Sequence, residues 1–159
     1  MERKASVDRL TVIAIAIIAY AIANVSHELL GHCTMAVLVG TRCKVLSSTY
    51  IPLASEIPTW KYNIVVPAGC AANFIVALVC LALLRTKQIA QPSMRYFLWL
   101  TMCVNLFIPS TYIAVAPIIK FGDSYILIHE LPGQWFWRSA VALTGAIIWW
   151  FSCLDLVSH

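Results

Sequence analysis

From Asn63 to Leu84 the chain runs without a single charged side chain. About twenty such residues are what a helix needs to cross a hydrocarbon core roughly 30 Å thick. Predominantly apolar runs also cover residues 10–39, 96–119 and 135–157, the first holding Glu28 and the last Arg138 and Asp155. Their apolar residues are continuous rather than spaced as one stripe, so no aqueous face remains for a soluble helix. Composition agrees: 61% of residues are apolar and 11% charged, with a mean hydropathy of +0.83, against roughly a quarter charged in soluble domains. The expectation is an all-α, multi-pass integral membrane protein forming a single membrane domain of about four spans, with the lipid bilayer as its solvent.

The spans differ in kind. The first, at 10–39, is too long for a perpendicular crossing and should tilt or bend near its middle. No clear small-residue cleavage site precedes Ser26, so it reads as a retained helix rather than a signal peptide. A polar connection from Gly40 to about Tyr62 carries Pro52 and Pro58 and suits a short hairpin or interfacial loop. The third span holds Asn105, Pro109 and Pro117, and proline removes helical hydrogen bonds, so a broken helix is expected there. A short re-entrant or interfacial segment, 121–133, precedes the last span, whose Trp135, Trp137, Trp149 and Trp150 resemble interfacial anchors. With four spans, Arg3, Lys4, Arg9, Arg85, Lys87 and Arg95 share one side, against Arg42, Lys44, Lys61, Lys120 and Arg138 elsewhere. That balance favours a cytoplasmic N-terminus.

Net charge is +4, but the basic residues sit in the tail and connections, so no nucleic-acid partner is expected. Six cysteines form no C-x-x-C pair and read as small core hydrophobes rather than disulfides or a zinc ribbon.

Within the first span the chain reads Asn24-Val25-Ser26-His27-Glu28-Leu29-Leu30-Gly31-His32. Ionisable residues inside a membrane helix cost a few kcal/mol each and mark function by default. Two histidines beside a glutamate are what metal-assisted hydrolysis requires, with imidazoles as ligands and a carboxylate as general base. His27 and His32 would then hold Zn2+, with Glu28 as the catalytic base.

The spacing needs attention, because the zincin motif H-E-x-x-H separates its histidines by four residues. Here the separation is five, which in a regular α-helix sets the side chains about 140° apart. A π-bulge, or a break at Gly31, would realign them. A regular helix would instead pair Glu28 with His32 as ligands and lose the base. A bland alternative is a set of buried groups hydrogen-bonded to each other and to neighbouring helices.

A catalytic zinc takes three protein ligands and keeps an open position. Asp123, after the proline-rich third span, is the first candidate for the third ligand, although an Asp following Gly122 could equally cap a helix beginning near Ser124. His129 is the second candidate, but it precedes Leu131-Pro132-Gly133, a helix stop, and should sit near the interface.

These residues resemble the site-2 protease group of intramembrane zinc metalloproteases. The run from His27 to His32 is similar to that family's His-Glu motif ending in Gly-His, with one residue added. Ala68-Gly69-Cys70-Ala71-Ala72-Asn73 is similar to its small-residue segment ending in Asn, without the proline. Asn105-Leu106-Phe107-Ile108-Pro109 followed by Asp123 is similar to its Asn-Leu-x-Pro stretch and third ligand, at a longer gap and without Gly-Gly. The resemblance implies peptide-bond hydrolysis in membrane-anchored protein substrates, and a role for Asn73 in holding substrate or orienting the site. Read from the residues alone, Gly69, Ala71 and Ala72 make a small face for close helix packing, and Asn105 an interhelical hydrogen-bond partner.

Two other classes fit the same residues. One is a transporter or ion-handling protein relaying protons or metal through buried His and Asp. The other is a non-catalytic membrane subunit derived from a protease. Whichever class holds, a chain of this size is expected to work with an accessory subunit or as an oligomer.

Overall fold

The computed structural model describes residues 8–43, 58–86 and 88–157. Among them the chain is helical and has no strand. Helix α1 (Arg9–Val25) passes without interruption into a π-helical segment (Ser26–Cys33) and then α2 (Thr34–Leu38). There follow α3 (Thr59–Arg85), α4 (Pro92–Ile119), the short α5 (Asp123–Ile128) and α6 (Gln134–Val157). Among the described residues, three helices are long and apolar enough to cross a membrane: Arg9–Leu38, Thr59–Arg85 and Pro92–Ile119. The hairpin or loop expected after Gly40 falls mostly on residues 44–57, outside the described residues.

Helix α4 lies at the centre, packed against α1, α3, α5 and α6, while α3 covers the π segment. Small residues set these approaches. Helix α1 buries Ile15, Ala19 and Ala23, four residues apart on one face, and leaves Ile13 and Ile17 exposed on the outside. Gly145 brings α6 against the α4 backbone at Ile113 and Ala114. The interior therefore holds small and polar residues and the exterior large apolar ones, the arrangement lipid requires.

One expectation is corrected. The third span is not broken: α4 is continuous from Pro92 to Ile119, with Pro109 and Pro117 inside it. Both prolines are buried, so the positions where the backbone hydrogen-bond pattern is interrupted face protein rather than lipid, where neighbouring helices tolerate them. The carbonyls at the end of α4 are taken up from α6, where Arg138 Nε donates to Pro117 O at 2.7 Å and Nη2 to Ile118 O at 3.1 Å.

The chain leaves α4 through Lys120, in the left-handed conformation at φ 58°, with Phe121 N–H bonded back to Ala116 O. Gly122 follows at φ 91°, a backbone that side-chain-bearing residues rarely adopt. These two turns aim α5 back at the bundle. Gln134 holds its far end, donating to the carbonyls of Ile128, His129 and Leu131.

Candidate metal centre

The π segment is the local solution to the five-residue spacing. It spans Ser26–Cys33, and at its exit Thr34 N–H reaches back five residues to Leu29 O. Widening the hydrogen-bond ring in this way absorbs one extra residue per turn. His27 and His32 consequently share a face, with their rings 4.7 Å apart and perpendicular. Ser26, His27, Glu28, Gly31 and His32 are all buried.

What the π segment faces is the small-residue stretch of α3. A Cβ on Gly31 would lie 2.5 Å from Gly69 Cα and 2.6 Å from Ala68 O, so the two backbones are in direct contact. A Cβ on Gly69 would lie 2.5 Å from His32 Nε2 and 2.7 Å from His27 Nε2. The missing side chain at Gly69 is the space the two imidazoles occupy.

Asp123 completes the group. Its Oδ2 lies 3.0 Å from His27 Nε2 and 3.2 Å from His32 Nε2, and the two Nε2 atoms are 3.1 Å apart. These three residues could hold a metal ion. Asp123 is the first residue of α5, with Gly122 as the cap residue and no capping bond from a side chain. The carboxylate turns to the histidines instead of the helix end. Burial works against its charge, but the hydrogen bonds and charge of His27 and His32 outweigh that and hold the carboxyl down at about 2. The ionised carboxylate is the form a metal ligand needs.

The second ring nitrogens decide which way the lone pairs point. His32 Nδ1 lies 2.9 Å from Val65 O, an acceptor only, so this nitrogen carries the proton. His27 Nδ1 lies 2.9 Å from Asn73 Oδ1. The Asn73 amide cannot be turned around, because its Nδ2 donates to Ala23 O at 2.9 Å and to Asn105 Oδ1 at 2.8 Å. Asn105 is fixed in turn by donating to Thr101 O. His27 Nδ1 is therefore also a donor.

Each ring thus carries a proton on Nδ1 and turns its Nε2 toward the other ring and toward a carboxylate oxygen. A proton on one ring would relieve some of these contacts, whereas a divalent cation relieves all three and leaves both Nδ1 bonds intact. The size also fits, since a tetrahedral ion with bonds of about 2.0–2.1 Å sets its ligand atoms roughly 3.3 Å apart.

Glu28 is buried in the same π segment and makes no hydrogen bond with any described residue. Its carboxylate is available, and the atoms that meet are those of His27 and His32 rather than of Glu28 and His32. His129 lies apart from the group, at the end of α5, its Nδ1 on Ile126 O and its Nε2 3.7 Å from Glu130. Asn73 and Asn105, both fully buried, serve here through hydrogen bonds.

Two features of the site lay beyond the sequence reading. Tyr112 packs its ring 5.6 Å from that of His27 and takes a hydrogen bond from Ser124 on its carbonyl; no motif flagged it. Gly69 was noticed only as a packing residue. Tyr112 and Asp123 remain partly exposed, at 43% and 23%, so the site opens on their side. The six cysteines are free thiols, with Cys80 and Cys103 buried.

No protein-family model matches the chain, and neither a curated protein nor a solved structure proved similar to it.

Proposed function

We propose that this chain is a membrane-embedded zinc metalloprotease with four spans, α6 being the fourth, that hydrolyses peptide bonds of membrane-anchored proteins. The observation that carries the reading is the convergence of two imidazoles, each bonded through Nδ1 to a protein oxygen, and a carboxylate on one point, beside a glutamate that bonds to none of them. A donor set of two imidazoles and one carboxylate with room for a further ligand suits catalytic zinc. The order along the chain of His27-Glu28, Gly31-His32, Asn73, Asn105 and Asp123 adds the likeness to the site-2 protease group.

Bound there, zinc would supply Lewis-acid polarisation of the scissile carbonyl and an acidified water. His27, His32 and Asp123 would hold it. Asn73 and the Val65 carbonyl keep the two rings in the tautomer that leaves Nε2 free. Glu28 takes the water's proton and passes it to the leaving amine. The substrate enters on the open side by Asp123 and Tyr112 in extended form, because a helix hides its carbonyls in its own hydrogen bonds.

The test is cleavage by the full chain in liposomes, using single-span peptides with a helix-breaking segment and mass spectrometry of the products. Wild-type protein should cut them in a chelator-sensitive manner. Glu28→Gln should lose about 10²–10⁴-fold in rate while retaining its zinc. Equal cleavage by Glu28→Gln, or no cleavage by fully zinc-loaded wild type, would contradict the proposal.

A further inference from the structure

The opposite end of the α3–α4 pair carries a second feature, independent of the metal centre. Where α3 ends and α4 begins, a cavity of about 490 Å³ is lined by Arg85 and Arg95, by Tyr96 and Trp99, and by Leu81 and Leu84, with the core residue Met102 at its base. That volume is in the range of small-molecule sites. Both helices are apolar enough to cross a membrane, so their shared end lies at a bilayer surface.

The charges in this cavity have no partner among the described residues. Neither arginine makes an ion pair or hydrogen bond with any described residue. Arg85, in the last turn of α3, is well placed relative to the helix dipole. Arg95 is not, since it sits near the start of α4, where the dipole is already positive. That helix begins with Pro92, with no acidic residue in its first turn and no capping side chain. Two arginines and an uncapped helix start around one cavity are short of negative charge.

The rest of the lining is apolar or aromatic. Tyr96 and Trp99 stack with ring centroids 5.9 Å apart, a pairing suited to the headgroup level of a membrane. Leu81, Leu84 and Trp99 pack around the buried cluster of Ala77, Cys80, Leu98 and Met102. A ligand here must be anionic at one end and apolar at the other.

We propose that this cavity binds one anionic phospholipid, with its phosphate between Arg85 and Arg95 and its glycerol and upper acyl chains against Leu81, Leu84, Tyr96 and Trp99. An acidic peptide would leave the apolar walls unfilled. A lipid reaches the cavity directly from its own leaflet, drawn by the basic surface.

Native mass spectrometry of the full chain in mild detergent tests this. The protein is given equimolar phosphatidylglycerol and phosphatidylcholine with the same acyl chains. One phosphatidylglycerol per chain should be retained, with about tenfold preference over phosphatidylcholine. The preference should fall to near parity in Arg85→Gln/Arg95→Gln and persist in Arg85→Lys/Arg95→Lys. It should also weaken in wild type as ionic strength rises, a readout that does not depend on how the variants fold. Parity in wild type would overturn the proposal, as would undiminished preference in folded Arg85→Gln/Arg95→Gln. Displacement of the lipid by excess inorganic phosphate would assign the cavity to free anions instead.

Discussion

Along α3, the buried residues that meet the π segment are Val65, Ala68, Gly69 and Asn73, and a turn later Ala77 and Cys80 are buried with Leu98 and Met102 of α4. The first stretch lies against imidazoles, a carboxylate and amides held in one directed chain of hydrogen bonds. The second is held by shape alone. Lipid competes with such apolar contacts almost on equal terms, so packing in the second region is tolerant. In the first, each group fixes the orientation of the next, and lipid offers no substitute for a lost partner. A substitution of similar size should therefore have very different consequences in the two regions.

The largest contrast is expected at Gly69→Ala. The added Cβ meets ring nitrogens on one side while the α3 backbone is held against Gly31 on the other, so the rings must move. Proteolysis should fall by at least about 100-fold, since displacements near 1 Å already cost that much in rate, and zinc content should fall with it. Wild-type activity in this variant, measured by peptide cleavage and metal analysis, would show that the contact is slack.

Asn73→Ala comes next. It removes the acceptor that fixes the His27 tautomer and leaves Asn105 Oδ1 and Ala23 O without their donor. Loss of such a partner should lower zinc affinity about 10–100-fold, as measured by competition with a chelator. An unchanged affinity would mean that His27 is oriented by packing alone.

The smallest effect belongs to the apolar region. Leu98→Ala, 7% exposed in the native structure, should lower stability by about 2 kcal/mol or less, seen as a modest thermal shift in detergent. Zinc content and cleavage should stay within about twofold of wild type. A loss comparable to that of Asn73→Ala would erase the distinction between the two regions.

Much of this was legible in the chain. The apolar runs marked the helices, because lipid leaves few alternatives to a continuous helix. Five-residue spacing between His27 and His32 pointed to a π-bulge or a break at Gly31 as the two ways to align both rings, and the chain adopts the π segment. Asp123 stood out as a carboxylate following Gly122 and a proline-rich span. The continuity of α4 was not legible, because whether a buried proline breaks a helix depends on what packs beside it. Gly69 looked like any small packing residue, and its importance comes from imidazoles more than thirty positions away. Asn73 drew notice, but its grip on His27 Nδ1 depends on Ala23 and Asn105, which the fold alone brings to it. The start of α3 at Thr59, four residues ahead of the expected Asn63, follows Pro58, the cap residue, whose own backbone is not helical.

Zinc-edge X-ray absorption with metal analysis on full-length protein, purified in mild detergent without chelator, tests the central claim most directly. The account predicts one zinc per chain, bound only by nitrogen and oxygen at about 2.0–2.1 Å with two imidazoles in the shell, and loss of that zinc in His32→Ala with the helices intact. A chain without metal, or a shell containing sulfur from any of the six cysteines, would contradict it.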